Sequence, residues 1–156
     1  MTLPRSRGAL LAVVEQLDVE HAADLQRRTL PGSSKQATFC NWAIERALTA
    51  LGVYVPKGLL ARQQIQFLAG IGGRADGWLC VLELEAQQSA ERGEVVIATW
   101  LNPDQTLSSH VALVVPAIGA TGTHVMQAGS HNFSNGPIAA GFGIDKLPAV
   151  QFFHHA

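Results

Sequence analysis

Long apolar runs and clusters of positive charge are both missing from this chain of 156 residues. No apolar stretch approaches the ~20 residues that a membrane-spanning helix needs, so we expect no membrane among its partners. Lys and Arg together number 11 against 12 Asp and Glu, which gives no electrostatic reason to expect nucleic acid as a partner. Hydrophobic residues nevertheless make up 47% of the chain, which argues against disorder. Length and composition together predict one globular domain over residues 1–156.

Cysteine is scarce, and its two copies lie in unlike surroundings. Cys80 lies in the apolar run Trp78–Leu82, which predicts a small hydrophobic side chain buried in a strand. Cys40 instead follows a polar loop, so we expect no disulfide between the two. Neither an HExxH nor a CxxC spacing occurs, and adjacent His154 and His155 on a strand point to opposite faces. We therefore expect no metal and no other cofactor.

The first residues could be mistaken for a signal peptide, because Arg5 and Arg7 precede the apolar run Gly8–Val14. Glu15 and Asp18 follow at once, however, and no segment resembling a cleavage site appears. An amphipathic helix is the better interpretation. We expect a protein made in the cytoplasm without a classical signal peptide, which is compatible with export by a leaderless route or with release on lysis.

Apolar residues at helical spacing dominate the first half of the chain, and runs rich in Val and Ile dominate the second. The spacing predicts three helices, then a strand, a helix and four strands: Leu10–Arg28, Phe39–Leu51, Lys57–Ala69, Trp78–Leu82, Glu83–Arg92, Glu94–Trp100, His110–Val115, Thr123–Gln127 and Gln151–His154. The glycine-rich segments Gly70–Gly73 and Gly141–Gly143 predict loops. Trp42, Leu60 and Trp78 are expected in the core. Helices followed by an antiparallel sheet are typical of an α+β domain.

Cys40 stands where a polar loop gives way to the second predicted helix. The positive end of the helix dipole and the unpaired N–H groups there favour the thiolate, which is the nucleophilic form. His110 opens an apolar run that ends at Val115, so we expect it at the start of a buried strand. This pair predicts a nucleophile and a general base, with the backbone N–H of Cys40 as one oxyanion donor.

A third polar group is needed to orient the imidazole of His110 through its other ring nitrogen. Gln127 ends the next predicted strand, where strand alternation can place it beside His110. Asn132, in the loop that follows, is the alternative, and the sequence alone leaves both open. Asn132 is also a candidate for substrate binding, together with three further residues near these positions: Asn41, Trp100 and His131.

Three segments of the chain resemble the NlpC-type and CHAP-type cysteine peptidases and amidases of cell walls: Thr38–Asn41, Gly93–Val96 and Ser109–Val114. The resemblance implies a papain-like core over about residues 38–127, with Cys40 beginning a helix, His110 beginning a strand and Gln127 as third catalytic residue. It also implies hydrolysis of amide bonds in peptidoglycan stem peptides by a bacterial or phage enzyme. One departure is Ser109, where those families often have glycine.

Two other kinds of function stay open. The acyl-enzyme formed on Cys40 could be resolved by an amine, which would make the protein an acyltransferase or a deamidase. Alternatively, the fold could be a non-catalytic structural or binding module, for example a phage or secretion-system component, with the apolar segment 142–153 as an interface. For the enzyme, the expected partners are a peptide or peptidoglycan substrate and a delivery or inhibitor protein. The segment Ser130–Gly143 is a candidate lid over the site.

Overall fold

Residues 5–156 are described by the computed structural model, in which six helices accompany antiparallel strands. The helices are α1 Arg7–Leu17, α2 Cys40–Ala50, α3 Ala61–Ala69, α4 Ile71–Ala75, α5 Glu83–Glu91 and α6 Ile138–Phe142. The strands are β1 Arg28–Thr29, β2 Gln36–Ala37, β3 Trp78–Val81, β4 Val95–Trp100, β5 His110–Val115, β6 His124–Gln127, β7 Phe133–Pro137 and β8 Gln151–His155. Among residues 5–156, no helix combines the length and apolar character that crossing a membrane requires.

The six-stranded sheet has the order β3-β8-β4-β5-β6-β7, and β1 and β2 pair separately. Every neighbouring pair is antiparallel. The chain is thus a mixed α+β fold, as the sequence predicts, and five of the six strands of the main sheet lie where strands were expected. The sixth is β7, which the sequence analysis assigned to a loop.

β4 and β5 form the centre of the sheet, and nearly all their side chains are buried. Both are close to uninterrupted apolar runs, which suits strands with little exposure on either face. In their register Trp100 pairs with His110, at the ends of the two strands. Helices α2, α3 and α5 all pack against β5. The strand that begins with His110 is therefore held by neighbours on several sides.

α1 is shorter than the helix predicted over 10–28. Ser6 caps its start by accepting a hydrogen bond from a first-turn N–H, and Asp18 ends it in a left-handed conformation with φ of 43°. Val19 and Leu25 remain buried although they lie beyond the helix. The predicted helix end at Arg28 is wrong, because a turn and a single 3-10 turn at Ala23–Leu25 follow α1 and direct Leu25 inward without continuing the helix.

Both glycine-rich segments that were predicted as loops contain helix. α4 begins within Gly70–Gly73, immediately after α3 ends. A Cβ added at Gly73 would lie 2.4 Å from the carbonyl oxygen of Phe67, so only glycine lets the chain fold back this tightly. The segment Ser130–Gly143, considered as a lid, instead contains β7 and α6. Because β7 is hydrogen-bonded to β6, this segment is part of the sheet.

Three burial predictions are wrong and one is confirmed. Cys80 is exposed: β3 is an edge strand with β8 as its neighbour on one side only, and of its four residues only Trp78 is buried. Leu60 is 66% exposed because α3 begins after it, and Trp42 is 41% exposed. The Trp42 ring packs against Phe39, with centroids 4.8 Å apart. Trp78 is completely buried, as expected.

Candidate active site

Cys40 is the first residue of α2, as the sequence predicts, and it is only 4% exposed. Burial raises the pKa of its thiol, while nearby backbone N–H groups of Val111, Asn41 and Cys40 itself act in the opposite direction. The helix start thus contributes the expected donors, but burial outweighs them and the resting group is a thiol. Contact with the Val111 backbone places the sulfur beside the first residues of β5.

Asn41 and Gln64 hold the first turn of α2 in place. The Asn41 side-chain amide donates to the carbonyl oxygen of Leu59 at 2.9 Å, and the Gln64 amide donates to the carbonyl oxygen of Asn41, also at 2.9 Å. Gln64 is 1% exposed, and its own Oε1 has no hydrogen-bond partner. The Asn41 amide is therefore engaged with the fold, and Gln64 is a supporting residue that the sequence analysis missed.

His110 begins β5 and its ring is fixed by Gln127, the last residue of β6. His110 Nε2 lies 2.7 Å from Gln127 Oε1, and Gln127 Nε2 donates to the carbonyl oxygen of His131 at 2.7 Å. Because that second bond requires the amide nitrogen, the oxygen faces the ring and can only accept. Nε2 of His110 must then carry the proton, which leaves Nδ1 as the basic nitrogen.

The surroundings of His110 favour its neutral form. Burial is the largest cause that lowers the pKa of the imidazole, and the positive charge of Lys146 lowers it further. The hydrogen bond with Gln127 raises the pKa and partly opposes them. The ring also packs edge-on against Phe142 of α6, with centroids 4.8 Å apart. A neutral imidazole at His110 and a protonated thiol at Cys40 are the resting forms that these environments support.

Two glycines make room for the His110–Gln127 pair. A Cβ added at Gly141 would lie 2.8 Å from Gln127 Oε1, and one added at Gly129 would lie 3.3 Å from His110 Cε1. Side chains at these positions would push against the hydrogen-bonded pair or its support. The sequence analysis placed Gly141 in a loop and did not consider Gly129, because the role of both glycines depends on contacts between distant segments.

Asn132 does not contact the imidazole. Its Oδ1 accepts from the N–H of Gly129, and its Nδ2 donates to the carbonyl oxygens of Val19 and Leu25, each at 2.9 Å. Asn132 thereby joins the segment after β6 to the segment after α1. Of the two residues considered for orienting His110, Gln127 makes the hydrogen bond and Asn132 positions the backbone.

Ser109 also has a structural role. It is 5% exposed, and its hydroxyl accepts a hydrogen bond from the backbone N–H of Asn102 at 3.0 Å. This bond closes the connection between β4 and β5 directly before His110. The serine therefore does here, through its side chain, something that glycine could not do.

Two cavities of about 280 Å³ each flank the site. The His110 cavity is lined by His110, Gln127, Trp100, Phe142 and Lys146, among others. The Cys40 cavity is lined by Cys40, Asn41, Ala61, Arg62 and Thr106, among others. Both include Thr38 and Ser108, so these two residues form the ridge between them.

The remaining predicted site residues lie around the His110 cavity. Trp100 is half-buried and His131 contributes its backbone carbonyl to Gln127 while remaining exposed. A larger cavity of about 570 Å³ lies beside Cys80, between α3 and β3, and neither Cys40 nor His110 lines it. We place the site at the two smaller cavities because they contain the groups capable of nucleophilic and acid–base chemistry.

No protein-family model matches the chain, and no curated protein matches it. In residues 5–156 no three His, Cys, Asp or Glu side chains come together in a way that could hold a metal ion. The thiol of Cys40, the imidazole of His110 and the amide of Gln127 are the chemically active side chains at this site. Those three groups are sufficient for nucleophilic attack on a carbonyl carbon with proton transfer.

Proposed function

We propose that the protein is a cysteine hydrolase of papain-like fold that cleaves amide bonds, with Cys40 as nucleophile and His110 as general base and acid. The observation that carries the proposal is the 2.7 Å hydrogen bond between His110 Nε2 and Gln127 Oε1. It leaves Nδ1 free to accept a proton, at the same end of β5 whose backbone touches the Cys40 thiol. One nitrogen of the imidazole is thus held by an amide and the other is left basic, which is the arrangement that a general base requires.

The proposed reaction has two steps. In the first, Cys40 Sγ bonds to the carbonyl carbon, its proton passes to His110 Nδ1, and the C–N bond breaks as that proton reaches the leaving nitrogen. In the second, a water molecule gives a proton to Nδ1 and its oxygen displaces the sulfur from the thioester. The products are an amine and a carboxylic acid, and the thiol is restored.

The proton starts on sulfur in this proposal. Burial raises the pKa of the Cys40 thiol and lowers that of the His110 imidazole, so the ion pair is not the resting state. The N–H groups of Val111 and Asn41 can stabilise the thiolate as it forms, and the Cys40 N–H is a candidate donor to the oxyanion. Proton transfer and attack would then occur together when a substrate carbonyl fills the site.

Peptidoglycan stem peptides are the proposed substrate class. The support is the resemblance carried by Thr38–Asn41 and Ser109–Val114, together with two cavities that offer space on each side of the scissile bond. The His110 cavity would take the amine side, because the residue that protonates the leaving nitrogen must be within hydrogen-bond reach of it. The Cys40 cavity would take the acyl side.

The deciding experiment is a digest of purified peptidoglycan, with new amino groups measured and the products identified by mass spectrometry. We expect release of amines by the wild type and none by Cys40→Ala. Cys80→Ala is the matched control, because that thiol is exposed and remote from the cavities of the site. Unchanged peptidoglycan after incubation with folded wild-type protein, for walls of each stem-peptide chemistry, would remove this proposal.

Two other functions can be distinguished from the hydrolase by related measurements. The acyl-enzyme has no built-in requirement for water, so product formation that rises with added amine would identify an acyltransferase. The burial of Cys40, at 4% exposure, is what favours a non-catalytic module. In that case iodoacetamide should label Cys40 only on unfolding, and His110→Ala should not change the labelling.

A further inference from the structure

Lys146 extends a positive charge into the His110 cavity. Its ammonium nitrogen lies 4.7 Å from the centre of the Trp100 ring, which holds it at the cavity wall by a cation–π contact. Its charge also acts on the imidazole of His110, whose pKa it lowers. Lys146 is thus fixed close to the proposed acid–base residue by an aromatic ring.

This charge has no counterion among the residues that the structure describes. Among the residues that line the His110 cavity there is no Asp and no Glu. Within residues 5–156, no carboxylate oxygen lies within 4.0 Å of the Lys146 ammonium. The charge of Lys146 opposes protonation of His110, and an anion from outside the chain that paired with Lys146 would relieve this effect.

The cation of the Cys40 cavity differs in this respect. Arg62 donates to the carbonyl oxygens of Asn102 and Asp104, at 2.7 and 3.2 Å. Its guanidinium therefore holds the β4–β5 connection and has fewer donors left for a ligand. Of the two cations, Lys146 is therefore the better candidate for binding a ligand.

We propose that Lys146 binds a free carboxylate on the amine side of the scissile bond, so that the preferred substrates are peptides whose leaving portion is acidic. The inference rests on the proposed function, since it assigns the His110 cavity to the leaving portion. It also accounts for the position of Lys146 beside the general base. A bound carboxylate neutralises the charge that depresses the pKa of His110, and the imidazole then accepts the thiol proton more readily.

The test uses synthetic stem peptides in which each free carboxylate is converted to a carboxamide in turn. For the wild type we expect amidation of one carboxylate, on the amine side, to lower kcat/KM about 10-fold or more, as the loss of one charge-assisted contact predicts. Lys146→Met should cleave the peptide with the free carboxylate and the amidated peptide with equal kcat/KM. Lys57→Met is the matched control, because Lys57 is exposed and lines neither cavity.

Two further variants guard against an uninformative loss of structure. Lys146→Arg keeps the charge and should keep the preference for the acid, and Lys146→Glu should reverse it in favour of a peptide that carries an amine there. Equal kcat/KM for all amidated peptides in the wild type would overturn the inference. So would a wild-type preference that survives in folded Lys146→Met.

Binding separates failure of this inference from failure of the hydrolase proposal. The dissociation constants of the same peptides are measured with Cys40→Ala by calorimetry. If the wild type cleaves no peptide but Cys40→Ala binds the acid about 10-fold more tightly than its amide, and Lys146→Met abolishes that difference, the carboxylate site stands without the hydrolase. If the wild type cleaves the peptides but amidation of each carboxylate changes neither kcat/KM nor the dissociation constant, the hydrolase proposal stands without the carboxylate site.

Discussion

The two sides of the candidate site are constructed differently. On the cysteine side, Cys40 is held by main-chain groups at the start of α2, with the Val111 N–H against its sulfur. On the histidine side, a chain of side-chain hydrogen bonds runs from His110 through Gln127 to a backbone carbonyl. Main-chain donors survive most substitutions, whereas a side-chain relay is lost when one member changes. The comparison therefore predicts that supporting substitutions on the histidine side will affect catalysis more than those on the cysteine side.

The largest effect is expected at Cys40, the proposed nucleophile. Cys40→Ala should reduce peptide hydrolysis by about 10⁴-fold or more, because no other group on that side can form the acyl-enzyme. Cys80→Ala should retain activity. The measurement is kcat/KM on a cleaved stem peptide, with circular dichroism to verify folding. Substantial activity in Cys40→Ala would mean that Cys40 is not the nucleophile, and the comparison of the two sides would no longer apply to catalysis.

Gln127→Ala should have the next largest effect, a loss of about 10²-fold in kcat with little change in KM, because the imidazole loses the partner that fixes its tautomer. Asn132→Ala is the informative comparison. Asn132 joins three backbone groups and does not touch the ring, so it should lower the melting temperature more than it lowers kcat. A larger loss of kcat in Asn132→Ala than in Gln127→Ala would mean that Asn132, and not Gln127, orients the imidazole.

The pH dependence tests the charge on the histidine side. The depressed pKa of His110 keeps the base neutral below the usual imidazole value of about 6.5, so the acid limb of kcat/KM should lie below that pH. Lys146→Met removes one cause of the depression, and the limb should move to higher pH. The free energy of unfolding should also decrease as pH falls from about 6.5 through the pKa of His110 in the folded protein, because the unfolded state binds the proton first.

The pKa of the Cys40 thiol should be shifted upward, which is the opposite of the downward shift at His110. Burial raises the pKa of Cys40, so the midpoint for iodoacetamide labelling of the free protein should lie above the ~8.5 of an ordinary thiol. The exposed thiol of Cys80 serves as the internal reference in the same sample, read by mass spectrometry of the two labelled peptides. A Cys40 midpoint below that of Cys80 would mean that the helix start and His110 outweigh burial.

The smallest effect is expected on the cysteine side, at Gln64. Gln64→Met removes the donor to the Asn41 carbonyl and should reduce the free energy of unfolding by about 1 kcal/mol. Its unpartnered Oε1 disappears as well, which limits the loss. Gln66→Met, an exposed position on the same helix, should change stability by less than about 0.5 kcal/mol. Urea denaturation measures both, and kcat should fall less than in Gln127→Ala.

The catalytic candidates could be predicted from sequence because each stands at the boundary of a strongly patterned segment. Cys40 precedes an amphipathic helix, and His110 and Gln127 border apolar strands, so their positions in secondary structure follow from local periodicity. Lys146 and Gln64 could not be found in this way. Their importance lies in what they meet from other parts of the chain, which no local pattern records.

The sequence by itself determined the α+β class, the central strands and the residues that begin them, because apolar periodicity acts over neighbouring residues. Only the tertiary structure decided that β7 joins the sheet, that Cys80 lies on an exposed edge and that Cys40 is buried. It also decided the choice of Gln127 over Asn132 beside His110. Burial and hydrogen bonding depend on which distant segments meet, and these contacts set the protonation states of the thiol and the imidazole.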